Sequence, residues 1–195
     1  MMPPLLPALA LLEFSSIAAG TRAADAIAKK APVTLVRVGT LQPGKFAILF
    51  AGDVASVEES FAEGRRRGES ALVDSVLLPD VHPAVSEAVL GTRGDWGNDA
   101  LGIIETPTLA AILQAADAAM KGANVSIAEI RLGDGLGGKG LAYFGGLLAD
   151  VQAAVEIGCA ALGERRASAC VTVIPRLDED VRRRLEPSTR FGQGW

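Results

Sequence analysis

The sequence predicts an α+β fold built twice over, and three observations carry that expectation. The chain repeats itself internally, each copy alternates strand-like and helix-like patterning in the same order, and a short turn-rich segment separates the copies. In the repeat, "ALALLEFSSIAAGTRAADAIAKKAPVTLV" from Ala8 matches "ALGIIETPTLAAILQAADAAMKGANVSIA" from Ala100. "GKFAILFAG" (44–52) matches "GKGLAYFGG" (138–146), and "DVASVEESFAEG" (53–64) matches "LLADVQAAVEIG" (147–158). "SVLLPDVHPAV" (75–85) then matches "VTVIPRLDEDV" (171–181). Self-similarity at a fixed period means that one structural unit has been duplicated. The copies run over 8–91 and 100–187; residues 92–99 form a linker rich in turn formers, and 188–195 a C-terminal tail.

Within each copy the elements follow in order. An apolar run opens it (Ala8–Phe14; Ala100–Glu105) and reads as a strand. A helix follows, capped by Ser15 or Ser16 in the first copy and by Thr106, ahead of Pro107, in the second. Its inner face is small (Ala18, Ala24, Ile27; Ala110, Leu113, Ala116, Met120), which lets it lie close on a sheet. Two strands come next, "VTLVRVG" and "KFAILFAG", or "VSIAEIRL" and "GLAYFGG", joined by a glycine-bearing loop. A second helix begins near Asp53 or Asp150, both natural N-caps. "ALVDSVLLP" or "ACVTVIP" supplies the fourth strand, and a short helix closes the copy. The order β-α-β-β-α-β-α is the split-βαβ, ferredoxin-like arrangement with one helix added, so an antiparallel sheet carries helices on one side.

Composition narrows the function. In 195 residues, 49% are hydrophobic and 22% charged, enough for a buried core, and the net charge of −4 offers nothing to nucleic acid. The two "RRR" runs (65–67, 182–184) read as solvated helix ends. Cys159 and Cys170 lack metal-ligand spacing and are expected to be buried, structural thiols; His82 is the only histidine. The opening "MMPPLLPALALLEF" has no basic n-region, is broken by prolines and is too short to span a bilayer. No Ser/His/Asp or Cys/His set and no paired carboxylates point to catalysis.

"LGDGLGGKG" (132–140) satisfies G-x-x-x-x-G-K, yet Gly140 stands where a phosphate loop needs Ser or Thr for Mg²⁺. A strand follows it rather than a helix, so no helix N-terminus is available to bind phosphate. The matching loop of the first copy, "GTLQPGK", lacks the motif altogether. Four glycines in eight residues exceed the needs of one turn, which points to backbones crowding together.

The "ALGIIETPTLAAILQAADAAMKGANVSI" segment, the G-G-K loop, "GLLADVQAAVEIG" and "VIPR" resemble the BMC-domain family of bacterial microcompartment shell proteins. Two copies in series, with "FSSIAAGTRAADA", "QPGKF" and "VLLPDVHP" in the first, are similar to its tandem, non-permuted type. The resemblance covers about residues 8–187. It implies a pseudo-hexameric homotrimer that tiles into shell facets beside other shell proteins, in the bacterial cytoplasm, without enzymatic activity. It also implies that the loops between second and third strands line a central pore for small metabolites: Thr40, Leu41, Gln42, Pro43 and Gly44, with Asp134, Gly135, Leu136, Gly137 and Gly138. Asp134 adds a negative charge near one mouth. Lys29, Lys121 and Arg176 map to tile-edge contacts, whereas the first copy has Asp80 at the arginine position.

One departure from the family bears on cofactors. A branch of the tandem type holds an iron–sulfur cluster on the pore axis through a cysteine immediately before "PGK". Gln42 stands there, and an amide cannot replace a thiolate ligand, so no cofactor is expected. A redox-relay shell protein and a free trimeric ligand-sensing protein of ferredoxin-like fold stand as the alternatives. No membrane or nucleic-acid partner is expected.

Overall fold

The computed structural model describes residues 7–191; the start of the apolar N-terminal stretch (1–6) and the end of the tail with Trp195 (192–195) lie outside them. The first half runs β1 (Ala8–Phe14), α1 (Ile17–Lys30), β2 (Thr34–Leu41), β3 (Lys45–Gly52), α2 (Val54–Gly68), β4 (Leu72–Leu78) and α3 (Pro83–Leu90). The second runs β5 (Ala100–Thr106), α4 (Leu109–Gly122), β6 (Ser126–Leu132), β7 (Gly140–Gly146), α5 (Leu148–Ala161), β8 (Cys170–Pro175) and α6 (Glu179–Leu185). Each half makes one antiparallel sheet, ordered β2-β3-β1-β4 and β6-β7-β5-β8. The duplication extends to defects: a register shift at Val36 recurs at Ala128, 92 positions on.

Alternation in β1 sorts its side chains. Ala8, Ala10, Leu12 and Phe14 meet α1 and α2 through Ala23, Ala24, Ile27 and Val57. Leu9 and Leu11 turn to the opposite face, where they join a cluster that extends into the second half. Glycine lets the helices come close: a Cβ on Gly68 would sit 2.1 Å from Phe14 Cε1, and one on Gly64 2.6 Å from Ile27 Cδ1. Both arginine triplets do fall in last helical turns, of α2 and α6, where cations suit the helix dipole.

The caps differ in part from the sequence reading. Ser16 and Asp53 cap α1 and α2 as expected. Thr108, not Thr106, caps α4, because the buried Thr106 hydroxyl is spent on the Thr108 carbonyl (2.8 Å). Asp150 lies inside the first turn of α5, whose N-cap is Leu147; the missing cap comes from the linker, where Asp99 Oδ2 accepts from Leu148 N–H at 2.8 Å. Ala18 is exposed rather than inward. Cys159 is buried in α5, with its thiol pKa pushed up by burial, but Cys170 is exposed on β8.

Two segments take positions that the sequence pattern does not indicate. The linker does not hang in solvent: Trp96 is 3% exposed, packs with Leu101 and Ala128, and stacks at a tilt on Tyr143 (centroids 5.2 Å apart). Gly94 N–H donates to the Ala128 carbonyl, and Gly145 leaves room for the Trp96 backbone, which a Cβ there would approach to 2.3 Å. The closing helix of the first half packs not on its own sheet but on β6 and α4 of the second half. Replacing Trp96 with Ala should therefore lower unfolding free energy by about 3–5 kcal/mol in denaturant titration, the usual cost of emptying a buried aromatic site.

Candidate functional site

The two strand-connecting loops form the site, and the fold sets them side by side. In the first half, the hairpin pairs Leu41 with Lys45, leaving Gln42, Pro43 and Gly44 as the tip, with a cis Gln42–Pro43 bond and Gly44 at φ 79°. In the second, Leu132 pairs with Gly140, and Gly133–Lys139 closes as two successive turns: Asp134 N–H donates to Leu132 O (2.9 Å), Leu136 N–H to Gly133 O (3.2 Å) and Lys139 N–H to Leu136 O (3.3 Å).

The glycines have two causes, only one of which was expected. Gly133, Gly135, Gly137 and Gly138 all hold positive φ (61–84°), so the loop's own turns require them. Backbone crowding adds to this at two positions. A Cβ on Gly138 would lie 2.5 Å from the Gln42 carbonyl oxygen, and one on Gly133 2.2 Å from Leu41 Cδ1. Thus Leu41, Gln42, Gly133 and Gly138 touch within one chain. Arg37, Thr40, Gln42, Leu109 and Asp134 line a cleft of about 440 Å³ beside them. Strand β7 follows the glycine loop, so it is no phosphate-binding strand–loop–helix.

Below the loops lies the polar junction of the two halves. Glu13, fully buried on β1, accepts from Ala110 N–H at the start of α4 (2.9 Å), a favourable place for a carboxylate because the helix dipole is positive there. Among the described residues its second oxygen has no hydrogen-bond partner and only Lys45 Nζ nearby, at 3.7 Å. Burial pushes the Glu13 pKa up to about 7, against the pull of Ala110 N–H and Lys45. Alongside, Asp74 on β4 takes both its oxygens to Arg165 (2.9 Å each) and accepts from the Thr108 hydroxyl (2.5 Å); Arg165 also reaches Gln114. Sequence patterning gave no sign of this network, because its hydrogen-bonded pairs lie 34 to 91 positions apart.

Of the residues mapped to tile edges, Lys29 is exposed and paired with Asp25 (2.7 Å). Lys121 pairs with Asp117 (2.7 Å) and donates to the Asp80 carbonyl, so it also ties α4 to the first half. Arg176 is exposed, at φ 56°, and makes no ion pair among the described residues. Asp134 is paired with Arg190 of the tail, which holds its carboxyl below the usual carboxylate range. No helix among the described residues is long and apolar enough to cross a membrane.

Two consecutive α+β units, each offering a glycine-bearing strand loop to a common corner, define a tandem-domain protein. The BMC domain matches both units, over residues 8–81 and 100–177, and the chain belongs to that family, the family of bacterial microcompartment shell proteins. It is 37% identical, over 91% of its length and 97% of the relative's, to the bacterial microcompartment shell protein PduT of Citrobacter freundii. A crystal structure of a microcompartment protein from Desulfitobacterium hafniense superposes with a TM-score of 0.79 at 37% identity, covering 90% of this chain and 98% of the other. A fused, permuted hexameric shell protein from the RMM microcompartment shares the fold (TM-score 0.58, 19% identity, 80% and 82% coverage).

Glu13 makes stability depend on pH in a definite direction. The unfolded chain releases this proton near 4.5 and the folded one near 7, so between them the folded state binds more protons and loses stability as pH rises. The loss is on the order of 3 kcal/mol. Denaturant unfolding at pH 5 and pH 8 should show this decline in the wild type, and Glu13→Gln should flatten it.

Proposed function

We propose that this shell protein works as a homotrimer, a ring of six domains, in which three Gln42 loops and three Asp134 loops line a pore for small metabolites. The observation that carries the reading is the contact between α3 and β6. In α3, Val85 and Val89 are 0% and 2% exposed; on β6, Ile127 and Ile130 are 5% and 7% exposed. The repeat equivalents of Val85, Ile127 and Ile130 face solvent: Val181 on α6 is 45% exposed, and Leu35 and Val38 on β2 are 40% and 42%. One chain therefore carries one completed joint and both halves of a second, at its two ends. A second copy supplies what is missing, Val181 of one protomer covering Leu35 and Val38 of the next. Such head-to-tail contacts close into rings when the rotation between units allows.

The polar part of the joint repeats as well. Glu105 stands where Glu13 does, so in the ring it would face Ala18 N–H of the next protomer, at the exposed start of α1. Lys29 and Arg176 correspond to Lys121 and Asp80, which meet within the chain. Across the ring joint Lys29 would therefore donate to the Arg176 carbonyl, leaving the Arg176 guanidinium at the rim where trimers tile with one another and with other shell proteins. The role is structural rather than catalytic. Gln42 supplies an amide where an iron–sulfur cluster would need thiolate, Cys159 is buried in α5 and Cys170 lies on β8, so the reading includes no redox centre. Selectivity then rests on pore width and on the groups lining it.

Val181→Asp should turn the trimer into monomer in size-exclusion chromatography with light scattering, while circular dichroism stays unchanged. A wild type that is monomeric at every concentration would sink the ring. Lys29→Ala removes an exposed pair worth little to the fold. It should leave trimers intact yet abolish hexagonally spaced sheets in negative-stain microscopy.

A further inference from the structure

Loop Gly133–Lys139 carries one acidic residue, Asp134, and the C-terminal tail returns to meet it. Past α6 the chain runs along β6. There the Thr189 hydroxyl donates to Glu129 Oε2 (2.6 Å), and Arg131 Nη1 donates to the Thr189 hydroxyl oxygen (3.4 Å). Glu129 is held in turn by Arg93 of the linker (2.5 Å), whose other amine donates to the Leu185 carbonyl (3.0 Å). This anchorage delivers Arg190 to the Asp134 carboxylate, while Arg131, 9% exposed, donates to the Asp134 carbonyl at 2.7 Å. The loop is gripped from both sides, by its backbone from the sheet and by its side chain from the tail.

We infer that Arg190 is a selectivity-determining residue of the pore: the tail places it to neutralise Asp134 and to fix the glycine loop. This rests on the pore reading above. With that pair formed, and with Lys139 at the loop's end paired to Glu105 of β5 (2.7 Å), the second-copy loop presents no net charge, and the first-copy loop tip presents only the Gln42 amide. Six such loops make an opening suited to small uncharged polar molecules, which neither cations nor anions would enter preferentially. Without Arg190, three carboxylates would stand at the opening and draw cations. Four glycines in seven positions give the loop little stiffness of its own, so its conformation depends on these two grips.

The experiment uses full-length trimers in planar lipid bilayers under a salt gradient, with hydrogen exchange measured alongside. In the wild type, the reversal potential should show little preference between K⁺ and Cl⁻. Arg190→Ala should raise the K⁺/Cl⁻ permeability ratio several-fold, and exchange over 133–139 should accelerate. Asp134→Arg combined with Arg190→Asp should restore both properties, which a merely structural role for the tail would not require. A conducting Arg190→Ala trimer with unchanged selectivity overturns the inference and leaves the pore standing. A wild-type trimer that carries no current overturns the pore and the selectivity together. Unchanged exchange at 133–139 overturns the tether.

Discussion

The packing of α3 is the constraint on which the rest of the molecule depends. Its apolar residues have no seat on their own sheet, so the helix crosses to β6 and α4 of the next domain. That crossing merges the outward face of the first sheet, through Leu9, Leu11, Val76 and Leu78, with Ile127, Ile130 and the α4 face in one core. It also brings β1 against the start of α4, which places Glu13 at Ala110 N–H and Asp74 within reach of Thr108 and Arg165. The two loop tips meet because these contacts fix the angle between the sheets. A repeat that must lend its last helix to a neighbour cannot stand alone.

Much of the fold was legible because local chemistry decides it. Strand β3 and strand β7 start and stop where the apolar runs meet glycine and lysine, and Ser16 and Asp53 cap helices as their side chains suggest. Both loops were also legible, since glycines needing positive φ leave few other places for a turn. What escaped was decided at long range. Trp96 looks like part of a polar linker, yet it is drawn onto Leu101 and Ala128 by an apolar face that no sequence window contains. Asp99 caps a helix 49 positions away, and Thr106 loses its capping role to a neighbour two residues on.

The glycine loop shows how one composition can answer two demands. Its positive φ values belong to the turns of a single chain, and only Gly133 and Gly138 also admit the partner loop. The charged residues around it are sorted by anchorage: Arg131 is buried on the sheet, Arg190 arrives from the tail, and Asp134 lies between them.

Duplication has let the two kinds of joint diverge. The internal one is locked by Arg165, Asp74 and Thr108, whereas Cys170 takes the Asp74 position, opposite Glu105 on β5, and Ser16 takes that of Thr108. The Arg165–Asp74–Thr108 clamp thus has no counterpart at the open ends, where Glu105 is the carboxylate that remains. In the proposed ring, fusing two domains would turn three of the six contacts into intramolecular ones, formed at the high effective concentration of tethered neighbours whatever the dilution. Only the three contacts between chains would then follow mass action. Chain concentration alone would govern ring closure, and a disassembled ring would come apart into pairs of domains that are already half assembled.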